Sequence, residues 1–353
     1  MSTTTLHATA PCRVDLAGGT LDLWPLSQLV TEAVTVNLAV GLRAGCELVD
    51  RDDGSWVFED PDGGSRLELP ELPARPEREL PPQFTLAGVV AAHFELGPMT
   101  CRTWSEAPRH SGLGGSSALV MALIAAAARR RGRELTPTEA VGIACNLETR
   151  VLGKPAGTQD HWSAWCGGLS VLEHGIEGTV RRGLPPVGLE LLGRALVVVD
   201  STVTHHSGMN NWSVFQARVD DREPTTSALE AIAAAARELR ERFSDPKLTE
   251  DDLPALGHAI DTEWSSRRRL SDAVSCDEIE RLIGAAREAG GWAKVCGAGG
   301  GGCLIALPPK VEARAELVAA LEGAGGRVLD AAPEAEGVLV QDGRAAAASG
   351  GVS

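Results

Sequence analysis

Tyrosine is absent from this chain of 353 residues, lysine occurs only at positions 154, 247, 294 and 310, and aromatic side chains make up 4%. With 33 basic against 48 acidic residues, the net charge is −15. Such a chain lacks the basic field that grips nucleic-acid backbones, which excludes a nucleic-acid partner. A small anion is not excluded, because a few local arginines suffice to hold one. The eight cysteines (12, 46, 101, 145, 166, 276, 296 and 303) form no C-x-x-C pair, and none stands at zinc spacing from a histidine. That removes zinc-finger and dithiol readings and leaves reduced, buried thiols. Adjacent His205 and His206 point apart on an extended chain and make a poor metal pair. The first residues lack the basic and apolar regions of a secretory signal. The apolar run ending at Ala128 is far shorter than the ~20 residues of a membrane helix. A cytoplasmic protein without membrane contact is the expectation.

What is present is ordinary globular material, 43% apolar and 23% charged. At about 100–200 residues per domain the length implies two domains. Glycine, proline and charge concentrate over residues 176–195, so the boundary is expected there, giving residues 1–190 and 191–353. Residues 34–49 alternate as a strand does, as do 55–59, while 61–82 read as an exposed hairpin or loop. Helices are expected over 84–96, after Ala118, and after the capping box Thr136–Glu139, which has Pro137 at the first helical position and Gly153 at the end. Thr158 is placed to cap a third helix reaching Trp165. Beyond the boundary, strands fit 195–200, 292–296, 303–307 and 327–329, and helices fit 227–243, 253–270, 276–289 and 310–322. The last ten residues read as frayed.

Two glycine-rich segments bear on ligand binding. Residues 297–302 satisfy G-x-G-x-x-G, but a strand follows where a dinucleotide site needs a helix, so that site is rejected. A hairpin allowing close backbone packing, or a loop lying against a ligand or another glycine-rich loop, remain open. The stronger phosphate candidate is Ser111, Gly112, Leu113, Gly114, Gly115, Ser116 and Ser117. It opens a helix, where free N–H groups and the helix dipole favour an anion. The Walker pattern is absent. Glu148 and Asp160 flank a Gly/Pro turn and form a plausible carboxylate pair for phosphoryl transfer, against the alternative of solvated surface acids. Arg267, Arg268 and Arg269 read as a solvated face or, less simply, an anion site.

Three motifs in order carry a family resemblance: Pro11 through Arg13, Asp15, Gly18, Gly19, Thr20 and Asp22; the loop from Ser111 to Ala118; and Lys294 through Gly302. The chain resembles the GHMP superfamily of small-molecule kinases. The resemblance implies an α+β fold of two domains, the first like the second domain of ribosomal protein S5 with a left-handed crossover, the second ferredoxin-like, and a site in the cleft between them. It implies ATP in the second motif, Mg²⁺ on Ser116 (or Ser117) and Glu148, and Asp160 as the base beside Arg13, which offsets charge on the transferring phosphoryl. Gly18, Gly19, Thr20 and Asp22 would face the acceptor with Arg13 and Asp160, and Gly299 and Gly300 would support the phosphate loop. The form of the first motif is similar to the sugar branch with L-fucokinase and heptose 7-phosphate 1-kinase, and implies transfer to a sugar or sugar-phosphate hydroxyl, the anomeric one. Another monosaccharide kinase, or a silent sugar/ATP sensor, are the alternatives. A monomer or homodimer is expected.

Overall fold

The computed structural model describes residues 5–203 and 210–343. The His205-His206 pair and the last ten residues lie outside them.

The first sheet holds β1 (Thr5–Ala17), β2 (Val34–Asp50), β3 (Trp56–Asp60), β4 (Ser65–Leu69), β5 (Met99–Ser105), β6 (Leu169–Gly175) and β7 (Gly178–Gly183). Its order is β12-β1-β2-β5-β3-β4, with β6 and then β7 added along the other half of β2; β12 is Leu339–Asp342. The helices α1 (Pro76–Glu79), α2 (Pro82–His93), α3 (Gly115–Arg130), α4 (Pro137–Leu152), α5 (Gln159–Cys166) and α6 (Pro186–Ala195) belong to this half of the chain. The second sheet has order β11-β8-β10-β9, built from β8 (Val197–Asp200), β9 (Trp292–Val295), β10 (Cys303–Leu307) and β11 (Arg327–Leu329). All its pairings are antiparallel, in the order expected of a ferredoxin-like unit. Helices α7 (Asn211–Val219), α8 (Thr225–Ser244), α9 (Leu253–Arg267), α10 (Asp277–Glu288) and α11 (Arg314–Gly323) accompany it.

β1 explains how the two halves join. Its first residues alternate between half-buried and buried, but from Ala10 onward every residue is buried. α3 covers it from its own half, while α8 and α9 reach it from the other half. A strand covered on both faces loses the alternation that identifies strands in sequence. The sheets fall on either side of residue 190, with two crossings. The segment containing Leu21, Leu23 and Leu26 packs into the second core, and β12 returns to pair antiparallel with β1.

The capping box at Thr136 forms as expected, with both reciprocal bonds present and Gly153 left-handed at the end of α4. Residues 61–82 contain a true hairpin strand, β4, paired with β3. The boundary segment is not a linker: it folds as β7 and α6. β7 has no buried residue and pairs with β6 alone, so it carries no apolar alternation to read. α6 starts behind Pro185 and Pro186, with proline at the first helical position. The eight cysteines are unpaired.

His174 on β6 gives a prediction of acid sensitivity. It lies between the hydroxyls of Thr35 (2.9 Å) and Thr179 (3.0 Å), and burial pulls it down from its ordinary 6.5 to about 4. The folded state therefore prefers neutral imidazole. That contribution is complete above pH 6.5 and lost as the pH falls toward 4. It amounts to about 3 kcal/mol. Between those pH values, thermal melts of His174→Gln should show a flatter fall in Tm than the parent; parallel curves would refute the assignment.

Candidate active site

The loop before α3 is held from two directions. The backbone N–H of Arg13 donates to the Leu113 carbonyl at 2.9 Å, and its Nη1 donates to the Gly112 carbonyl at 2.6 Å. From the second half, the N–H of Cys303 donates to the Ser111 carbonyl at 2.7 Å. Gly112 has φ +74°, and a Cβ there would sit 2.5 Å from the Cys296 carbonyl oxygen, so only glycine admits this approach. The third motif thus lies against the second. Gly297 and Ala298 are the part that lines the cleft, while Gly299 and Gly300 turn against Val274, whose carbonyl accepts from Gly300 N–H at 2.8 Å. Gly114 caps α3 with φ +73° and no side chain bonds the helix end. The first-turn N–H groups of α3, with the hydroxyl of exposed Ser116, fit a chain of phosphate oxygens.

Ser117 is buried, and its Oγ donates to Glu148 Oε1 and Oε2 at 3.0 and 3.2 Å. Of the two serines, Ser117 is the one touching Glu148. His161, fully buried on α5, places Nε2 3.0 Å from Glu148 Oε2. Burial opposes the Glu148 charge, but His161 and the Ser117 hydroxyl outweigh it and hold the carboxyl below its ordinary value. Burial likewise opposes charge on His161, and Glu148 outweighs it to raise that imidazole. A carboxylate beside a hydroxyl at a phosphate loop suits Mg²⁺, which takes one or two carboxylates and completes its shell with phosphates and water. Among the described residues no cluster of three or more His, Cys, Asp or Glu forms a cage for a metal alone.

Asp160 stands next to His161 in sequence but turns the other way, into the cleft. Arg13 Nε and Nη2 both meet its Oδ1, at 2.7 and 2.6 Å. Its side chain is 23% exposed, that of Arg13 5%. Burial opposes the Arg13 charge, and Asp160 and Asp15 outweigh it, raising the guanidinium. Asp160 does not cap α5, and neither does Thr158, whose side chain makes no cap bond. The cap comes from far away: Asp22 Oδ2 accepts from the Gln159 N–H at 3.0 Å. Burial raises the Asp22 carboxyl against the pull of that bond.

Of the turn Gly18, Gly19, Thr20 and Asp22, only Thr20 and Asp22 stand on the cleft wall; Gly18 packs against the Val34 carbonyl and Gly19 against Asp15 and Arg267. Beneath the turn lies a charged quartet. Asp15, Glu263 and Lys294 are 0% exposed and Arg267 1%. Arg267 Nη2 donates to the Gly19 carbonyl at 3.1 Å and lies 3.4 Å from Asp15 Oδ2, and Lys294 Nζ lies 3.0 Å from Glu263 Oε2. The solvated-face reading of the arginine run therefore fails for Arg267 and holds for Arg268 and Arg269, which are exposed outside this cluster. A helical pattern with a polar stripe gave no sign that the stripe faces a partner domain. His161 carries no signal in the sequence beyond its place next to the candidate Asp160.

Arg13, Asp22, Ser116, Ser117, Glu148 and Asp160 line one cleft of about 400 Å³ between the halves, with Arg267 of the quartet at its edge. Two family descriptions match the chain: "GHMP kinases N terminal domain" over residues 84–168 and "GHMP kinases C terminal" over residues 245–326. A mevalonate kinase of Thermococcus sibiricus is 32% identical over 247 residues, covering 69% of each chain. The D-glycero-alpha-D-manno-heptose 7-phosphate kinase of Campylobacter jejuni is 27% identical over 344 residues, covering 95% of this chain and 98% of that one. The crystal structure of a D-glycero-D-manno-heptose 1-phosphate kinase from Bacteroides thetaiotaomicron superposes with a TM-score of 0.75 at 19% identity, over 96% and 100% of the two chains. The chain belongs to the GHMP kinases, and is a phosphotransferase with their two-domain α+β fold.

Proposed function

We propose that this kinase catalyses Mg²⁺-dependent transfer of the ATP γ-phosphoryl group to a sugar or sugar-phosphate hydroxyl, the anomeric one; the Campylobacter jejuni relative is named as a kinase of a heptose 7-phosphate. The observation that carries this reading is the Arg13–Asp160 pair, which opens on the same cleft as the phosphate loop. Bound ATP and Mg²⁺ would supply the phosphoryl group and neutralise charge on its oxygens. Residues Ser111 to Ser117 would bind the phosphates through backbone N–H groups, and Glu148 with Ser117 or Ser116 would hold the metal. Asp160 takes the proton from the acceptor hydroxyl, and Arg13 fixes the carboxylate's orientation. Gly18, Gly19, Thr20 and Asp22 shape the acceptor side.

Incubating the protein with ATP, Mg²⁺ and a panel of free sugars and sugar phosphates, read by phosphorus NMR, tests the reading; a new anomeric phosphate resonance is expected, and no acceptor-dependent product rejects it. A second result is expected at the metal. Glu148→Gln should raise the Mg²⁺ concentration for half-maximal rate by about 10–100-fold or more, with an unchanged circular dichroism spectrum. An unaltered Mg²⁺ dependence removes Glu148 from the metal site.

A further inference from the structure

The cleft does not end at the acceptor turn. Through Leu23, Lys154, Pro155 and Asn211 it continues into a groove of about 330 Å³. Leu26 is buried beneath it, while Trp24 and Trp212 border it at 72% and 56% exposure, with Phe215 5.3 Å from Trp212 between ring centroids. Single exposed apolar side chains are ordinary. Two indoles on one groove opening into a phosphoryl-transfer cleft are a different matter, because indole faces suit the C–H faces of a carbon chain or sugar ring.

Two polar groups at the junction lack partners among the described residues. Lys294 has two carboxylates beside it, whereas exposed Lys154 forms no ion pair among the described residues. The side-chain oxygen of Asn211 is buried without a hydrogen-bond partner among the described residues. In a chain of net charge −15, an unpaired ammonium at the mouth of a cleft is a local attraction for an anion that the overall field repels.

We propose that this groove is the distal half of the acceptor site and takes the arm of a sugar phosphate. The carbon chain lies against Trp24 and Trp212, a hydroxyl donates to Asn211 Oδ1, and the phosphate meets the Lys154 ammonium. The inference rests on the sugar-kinase reading above and narrows its acceptor to a sugar that already carries a phosphate.

Tryptophan fluorescence provides a test that needs no turnover. D-glycero-D-manno-heptose 7-phosphate, mannose 6-phosphate, the two free sugars and inorganic phosphate are each titrated into the protein without ATP. Trp24→Phe and Trp212→Phe assign the signal. A sugar phosphate should change the emission of both indoles at concentrations where the free sugar and inorganic phosphate do not. Lys154→Met, a change at an exposed position, should weaken that binding by about 10–100-fold. In steady-state assays it should lower by a similar factor the ratio of kcat/KM for phosphorylated over free acceptor. Equal response to free and phosphorylated sugars, or a ratio that Lys154→Met leaves unchanged, overturns the groove assignment while the kinase reading stands. Lys154-dependent binding of a sugar phosphate without transfer from ATP upholds the groove and overturns the kinase reading.

Discussion

Replacing Asp160 by asparagine should lower kcat by about 10²–10⁴ and leave the KM for ATP close to the parent's. A sugar hydroxyl is a very weak acid, and its proton must leave as the bond to phosphorus forms. Asparagine keeps the size of the side chain, and its carbonyl oxygen still accepts from Arg13 Nε, which now bonds Oδ1 at 2.7 Å. It cannot take a proton. The phosphate loop keeps its Arg13 contact to the Gly112 carbonyl, so nucleotide binding has no reason to change. Arg13 does lose its nearest counter-charge, and some stability with it, so the assay belongs below the onset of melting of the variant. Asp160 is also free of a helix-capping duty, since Asp22 performs that task. Parent-level kcat in a folded Asp160→Asn protein would eliminate proton transfer to this carboxylate.

The second large effect is expected in stability. Arg267→Met should destabilise the protein by about 3–5 kcal/mol, measured by urea unfolding. Removing the guanidinium leaves Asp15 and Glu263 with Lys294 alone, a net negative charge sealed from water. Among the described residues one Asp15 carboxylate oxygen already lacks a hydrogen-bond partner, so losing the guanidinium adds to an existing deficit. The double variant Arg267→Met/Glu263→Gln restores neutrality and should be less damaged than the sum of the single changes, because the two residues touch. Strict additivity would show that the quartet does not act as a unit. The acceptor KM should rise as well, since Arg267 holds the Gly19 carbonyl of the acceptor turn.

The chemistry-bearing loops were legible because their residue types are rare and local. Glycines and serines ahead of a helix, and a capping box ahead of another, state their own geometry. The central strands of the second sheet, β8 and β10, were equally plain as apolar runs, whereas their ferredoxin-like order was implied by the family resemblance alone. What stayed hidden depends on long-range pairing. Nothing near Asp22 says that it caps a helix starting at Gln159, and nothing near Arg267 says that Asp15 lies across from it. His161 looks like an ordinary interior histidine until Glu148, thirteen positions earlier, is brought to 3.0 Å. β7 and β12 are exposed edge strands whose only sequence cue would have been a buried face they do not have.

The return of β12 to β1 has a mechanical meaning. Gly343 N–H donates to the Thr5 carbonyl at 3.1 Å, so the described ends of the chain meet on one strand pair. In topological terms the ferredoxin-like lobe is an insertion: the polypeptide leaves the first lobe after α6 and comes back before β12. A lobe hung from one tether swings in any direction. One hung from two, after α6 and before β12, has a preferred axis along the line joining those connections, and the Leu21–Leu26 segment packed into its core restrains it further against sliding the glycine loops past each other.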